Sequence, residues 1–197
     1  MILCCQLLVY QRIKKLPAEH IRYPSFQDIL SKVVPSNLYT IHQLTPDDRP
    51  WVSRILTDQW GSSRIVTRGV VHQAECLPGF VSELDGQKVG LITYHIQGDE
   101  CEIVSLNSFL EQIGIATALI ERVKSVAIQD GLRRIWLITT NDNLAALRFY
   151  QKRDFQLVAV YAKALEVSRQ LKPEIPLIGL DGIPLHDEIE LELTLTD

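Results

Sequence analysis

Glu102-Ile-Val-Ser-Leu-Asn-Ser-Phe-Leu-Glu-Gln-Ile-Gly-Ile-Ala-Thr-Ala-Leu-Ile-Glu-Arg-Val123 is the stretch that decides the fold. Cys101 to Leu106 is an apolar strand pattern, and Asn107 to Gln112 is a short elbow. A helix pattern opens near Gly114 and runs through Leu119, Val123 and Ala127 to about Gln129. Gly114 has no side chain and Ala116 a very small one, so a ligand can lie against the first-turn N–H groups. Those groups lack partners inside the helix and sit at the positive end of its dipole, which suits an anion, most often a phosphate. Gly-x-Ala by itself equally describes a turn in which small residues only ease packing.

The segments before this stretch read as a meander. Phe80 to Leu84 is a strand, Asp85-Gly86 a hairpin turn, Lys88 to Ile96 the return strand, and Gly98-Asp99 a second turn leading into the strand from Glu100. Tight turns make these three strands antiparallel. Upstream, Leu38 to Leu44 has strand composition. Thr45-Pro46-Asp47-Asp48 then reads as a helix start, with Thr as N-cap, Pro at the first helical position and acids in the first turn. Ser62 to Pro78 is ambiguous, with a strand option at Ile65 to Val71.

Downstream, Asp130-Gly131 stops the central helix and Arg134 to Thr140 is a strand apolar enough to be central. Strand, helix, strand in this order predicts a right-handed parallel crossover. Asn141-Asp142-Asn143 caps a second helix from Leu144 to about Arg153. Phe155 to Tyr161 is a strand, and Ala164 to Leu171 is weakly helical. In the tail, Ile189, Leu191, Leu193 and Leu195 alternate with Glu190, Glu192, Thr194 and Thr196, which predicts a last strand with one buried face. The fold class expected is α/β, of the α+β mixed-sheet kind: a mostly antiparallel sheet with one parallel pair and helices on both faces. Residues 1–37 read as an N-terminal extension broken by Pro17, Pro24 and Pro35, and the domain as 38–197.

Composition narrows the function. With 197 residues, a net charge of -4 and 46% apolar residues, the chain reads as one globular unit with no basic footprint for nucleic acid or an anionic membrane. Cys4, Cys5, Cys76 and Cys101 show no zinc spacing, so no metal is expected and buried thiols in a reducing compartment are. The apolar start at Met1 to Tyr10 is too short to span a bilayer and lacks a basic n-region. A cytoplasmic location is expected.

Two segments carry a resemblance. Glu111-Gln-Ile-Gly114-Ile-Ala116 resembles the acetyl-CoA loop of the GNAT superfamily of acyl-CoA-dependent N-acetyltransferases, written Gln/Arg-x-x-Gly-x-Gly/Ala. Asn143-Leu-Ala-Ala-Leu-Arg-Phe-Tyr150-Gln-Lys-Arg-Asp-Phe155 is similar to the Asn-x-x-Ala-x-x-x-Tyr-x-x-x-Gly-Phe segment that follows it in many members. There are two departures. Glu111 stands where the loop has Gln or Arg, and Asp154 stands where a Gly precedes Phe155. Asp tolerates a left-handed turn better than most residues, so that turn can survive.

The resemblance implies an N-acetyltransferase that moves an acetyl group from acetyl-CoA, as cosubstrate, to a primary amine by direct attack in a ternary complex. CoA's pyrophosphate would lie on the N–H groups of Gln112, Ile113, Gly114, Ile115, Ala116 and Thr117. Its pantetheine arm would pair like an extra strand with Leu106, Asn107 and Ser108, and the amides near Leu106 and Asn107 would face the oxyanion. Asn143 would cap its helix, bond the CoA arm, or both. Tyr150 matches the tyrosine placed beside the CoA sulfur, where a protonated phenol can serve the leaving thiolate; packing in the core with Phe149 is its other reading. Glu102-Ile-Val resembles the segment in which a glutamate draws the amine proton through water, so Glu102 is the candidate base. Glu100 and His95 are rivals, and Glu102 could instead be a solvent-facing strand acid. Cys101 alternates away from Glu102 and reads as a buried thiol rather than a nucleophile.

Acceptor identity is expected to lie in Trp60 to Phe80 and after Lys163, with Glu83 and Glu102 as acids for a cationic amine. The partners expected are a small-molecule or peptide amine and, as an open option, a second copy in a homodimer. A non-catalytic acyl-CoA-binding regulatory module on the same fold is the alternative function.

Overall fold

A computed structural model describes residues 38–110 and 113–195. The 1–37 extension, Glu111 and Gln112 lie outside the described residues.

Seven strands form one mixed sheet. They are β1 (Thr40–Gln43), β4 (Gly79–Leu84), β5 (Gln87–Gln97), β6 (Glu100–Ser108), β7 (Arg134–Thr140), β8 (Gln156–Tyr161) and β9 (Glu188–Thr194). Their order across the sheet is β1-β4-β5-β6-β7-β9-β8, and β2 (Arg64–Thr67) pairs with β3 (Val70–Gln73) in a separate hairpin. All neighbours are antiparallel except β6 and β7, as the crossover predicts. Asp85 (φ 49°) and Gly86 (φ 75°) both adopt the left-handed backbone that a two-residue hairpin turn needs.

Four helices complete the fold: α1 (Arg49–Trp60), α2 (Ile115–Gln129), α3 (Leu144–Gln151) and α4 (Ala164–Leu171). The expected start at Thr45 is a capping box: Asp48 Oδ2 accepts from the Thr45 N–H and hydroxyl, both at 2.8 Å. A single 3-10 turn, Pro46–Asp48, then precedes α1. Helix α2 buries Ile115, Leu119, Ile120 and Val123 in the core, each of which contributes about 2 kcal/mol of apolar transfer energy. The glycine at position 90 in β5 lets that helix come close: a Cβ there would sit 2.5 Å from Ile115 Cγ2.

Three expectations are corrected. Ile65 to Val71 is not one strand, because Arg68 (φ 48°) and Gly69 (φ 75°) reverse the chain. Arginine is not a residue whose sequence context signals that turn. The central strand continues to Ser108, so Asn107 and Ser108 belong to it rather than to the elbow. The last strand does not have a solvent face throughout: Glu188 and Glu190 are 0% and 3% exposed. It inserts between β7 and β8, and the hairpin and α4 reach across its carboxylates.

Candidate functional site: a split sheet and a buried acidic face

The sheet divides at its centre. β6 and β7 pair only from Glu100↔Arg134 to Ile103↔Leu137, although both strands continue. Beyond the fork, β6 stays on β5 through Gly90↔Ser108, and β7 stays on β9 through Thr140↔Glu188. A bulge helps part them: Thr93 pairs with Ser105 and Tyr94 with Ile103, so Val104 is the extra residue. Leu106, Asn107 and Ser108 therefore have no β7 partner along their second edge. That is the separation a strand-like ligand arm requires.

The fork leads into the start of α2. Gly114 is its N-cap, with φ 83° and no side-chain cap. The first intrahelical bond is Ala118 N–H to Gly114 O, so the amides of Ile115, Ala116 and Thr117 have no partner inside the helix. Gly114 is exposed and Ile113 and Thr117 are half-buried. Two neighbours were not legible as site residues. The Tyr39 hydroxyl lies 3.8 Å from where a Gly114 Cβ would be. Arg153 donates to Thr117 Oγ1 from Nε (3.0 Å) and Nη2 (2.6 Å), setting a cation beside the helix start. Its guanidinium also stacks on Phe149 at 3.5 Å and is followed by Asp154 at φ 65°, the left-handed turn expected there.

Two buried amide side chains belong to the elements that border the fork. Asn107 is 1% exposed, and neither its Oδ1 nor its Nδ2 has a partner among the described residues. Asn143 caps α3, its Oδ1 accepting from Ala146 N–H at 3.1 Å, while its Nδ2 has no partner among the described residues. The expected capping role of Asn143 thus uses one atom of the side chain and leaves the other uncommitted. Leaving such groups unmade inside a protein costs about 1–3 kcal/mol each, so they suit a polar ligand arm. Tyr150 is fully buried, its ring edge-on to Phe149 (5.1 Å) and Phe155 (5.3 Å).

Glu102 sits at the fork, one residue before the last β6–β7 pair. It is 4% exposed, so the solvent-facing alternative is wrong. The β5–β6 register puts His95 directly opposite, and the β6–β7 register puts Trp136 beside it. The hairpin supplies a residue that no motif announced: His72 Nε2 lies 3.3 Å from Glu102 Oε2 and 3.1 Å from Thr67 Oγ1. Glu102 Oε1 has no hydrogen-bond partner among the described residues.

Further carboxylates line the same face. Glu188 accepts from Ser168 Oγ (2.9 Å) and from the Arg68 N–H (2.9 Å); burial, together with the Glu102 charge, raises its pKa. Glu190 accepts from Tyr161 Oη (2.6 Å) and Arg134 Nη1 (2.9 Å). Arg68 spans the face from above, with its guanidinium over Tyr161 (5.0 Å) and Trp136 (5.7 Å). The segments expected to set acceptor identity, Trp60 to Phe80 and the chain after Lys163, are the ones that cover this face. Glu83 does not join it: it pairs with His42 at 3.5 Å on β1 and β4. Glu100 is held by Arg133 and Arg134. On the opposite face, Cys101 is fully buried and burial pushes its thiol up to about 12, which rules out a thiolate nucleophile at neutral pH.

A mixed sheet split at its one parallel pair, with a glycine-opened helix at the mouth, is the architecture that the GNAT resemblance implied. The chain belongs to the acetyltransferase (GNAT) family, whose model matches residues 38–155. It is 43% identical over 141 residues to "Uncharacterized protein YxbD" of Bacillus subtilis (strain 168), covering 71% of this chain and 89% of that one. In fold it is similar to an IAA acetyltransferase from Bacillus cereus ATCC 14579, with a TM-score of 0.61 and 19% identity over 80% of this chain and 99% of the other. It is also similar to a GNAT family acetyltransferase from Elizabethkingia anophelis with acetyl-CoA bound, with a TM-score of 0.57 and 19% identity over 81% and 100% of the two chains. Among the described residues no helix is long and apolar enough to cross a membrane.

Proposed function

We propose that the chain is an N-acetyltransferase that transfers acetyl from acetyl-CoA to a primary amine, with amine and thioester bound together. The observation that carries this reading is the position of Glu102 at the fork, immediately before the unpaired edge that runs into the bare start of α2. Acetyl-CoA supplies an activated carbonyl, and the amine nitrogen attacks it.

The residues divide the work. Amides of Ile113 to Thr117 hold the pyrophosphate, and Arg153 adds the positive charge that Glu111 does not. The edge of Leu106, Asn107 and Ser108 takes the pantetheine arm, together with Asn143 Nδ2. Amides of Leu106 and Asn107 face the developing oxyanion. An ammonium has no lone pair, so the amine must first lose a proton; Glu102 accepts it, directly or through one water. As the C–S bond breaks, Tyr150 donates to the leaving thiolate. The acceptor is a small-molecule or peptide amine that arrives as a cation, drawn by Glu102, Glu188 and Glu190.

The test is thiol release from acetyl-CoA across a panel of primary amines, with wild type beside Tyr150→Phe and Glu102→Gln. Turnover by wild type should fall about 100-fold in each variant while CoA still binds. Tight CoA binding with no turnover for any amine would replace this reading with the acyl-CoA-binding regulatory module.

A further inference from the structure

His72 on β3, His95 on β5 and Glu102 on β6 each offer one ligand atom, and these three atoms all lie within 4.8 Å of one another. We infer that this trio is a binding site for a zinc-type divalent cation, and that the cation removes Glu102 from proton transfer.

Two imidazole nitrogens and one carboxylate oxygen are a donor set suited to Zn2+ and its neighbours in the transition series. Bonds of about 2.0–2.1 Å in a tetrahedron put ligand atoms about 3.4 Å apart. His72 Nε2 and Glu102 Oε2 already stand at 3.3 Å. The His95 backbone is fixed opposite Glu102 by strand register, and its ring packs against His72 with centroids 5.4 Å apart. Closing the third corner from within 4.8 Å to tetrahedral spacing requires rotation of this half-buried ring.

A second observation points to a ligand. Glu102 is 4% exposed, yet its Oε1 has no hydrogen-bond partner among the described residues. A buried carboxylate with one oxygen unserved is costly, and a cation on that group relieves the cost. Three protein ligands leave a fourth position open, the pattern of an exchangeable rather than a closed structural site. Binding requires His72 Nε2 to give up Thr67 Oγ1.

The inhibitory consequence rests on the proposed function; the binding does not. The untagged full-length chain, stripped with EDTA, is titrated with Co2+ and monitored by its visible absorption, then back-titrated with Zn2+. One tetrahedral-type Co2+ per chain is expected, displaced by Zn2+. His72→Gln and His95→Gln, each checked for native near-UV circular dichroism, should weaken Co2+ by at least about tenfold. Saturating Zn2+ should lower amine acetylation about 100-fold, reversed by EDTA. No Co2+ band in wild type, or equal binding by both variants, overturns the site. Ligand-dependent binding with acetylation unaffected by Zn2+ overturns the inhibitory role. Ligand-dependent binding in a chain that acetylates no amine upholds the site and overturns the proposed function instead.

Discussion

Gly90 in β5 lies so close under Ile115, the first residue of α2, that a Cβ at position 90 would stand 2.5 Å from Ile115 Cγ2 and 2.5 Å from Ser82 Oγ. Bare glycine in the strand therefore sets how near the helix start comes to the fork. Gly90→Ala should destabilise the fold by about 1–3 kcal/mol through overpacking. It should also weaken CoA several-fold, because the helix start must retreat. Urea unfolding and a CoA titration check this; unchanged values in both would show that the contact does not position the helix.

Asn143 allows its two roles to be separated. Asn143→Asp keeps an oxygen for the Ala146 N–H and loses the Nδ2 donor, so stability should hold while acetyl-CoA affinity falls. Asn143→Ala loses both, and should cost about 1 kcal/mol of stability as well. Equal acetyl-CoA affinity in wild type and the Asp variant would assign the residue to capping alone.

Arg68 ties the β2–β3 hairpin over the acidic face through Glu190 Oε2 at 3.4 Å and through the Tyr161 and Trp136 rings. Arg68→Asn suits the left-handed turn but loses the tether. The expected result is a loss of about 1 kcal/mol, faster amide exchange in the hairpin, and a raised KM for the amine with CoA affinity unchanged. A change in CoA affinity without one in the amine KM would put the hairpin's influence on the wrong substrate.

Lys172 is 2% exposed, and its Nζ donates to Arg64 O at 2.7 Å. Burial lowers its pKa from 10.5 to about 8. Between those values the unfolded chain holds a proton that the folded chain has lost, so stability from this group rises with pH. Relative to Lys172→Met, wild type should gain stability from pH 7.5 to 9.5, by a few kcal/mol at most. Urea midpoints for both proteins at the two pH values measure it, and a flat difference would mean the lysine titrates normally.

The legible part of this protein is local. Asp85-Gly86, the Thr45 capping box, Asp154 in its left-handed turn and the opening of α2 at Gly114 each depend on a few adjacent residues. Arg68-Gly69 escaped because arginine adopts a positive φ only when the rest of the structure holds it there. His72 carried no signal, since Val70-Val-His-Gln73 looks like any short strand. Cysteine spacing carries no information about a histidine–glutamate trio assembled from separate strands. The period-two tail correctly showed a strand, but periodicity shows that one face is apolar without showing that the other is dry.

By itself, the order of residues determined the strands of the main sheet, the helices, the parallel crossover and the glycine-opened helix start, because backbone preference and apolar period act over short distances. Only the folded chain decided that β6 and β7 part after Ile103 and Leu137, and that β9 enters between β7 and β8. It also decided that a hairpin brings His72 to 3.3 Å from Glu102 and shuts glutamates away from water. Those features come from packing between segments distant in sequence, where burial and charge are set by what lies across the gap.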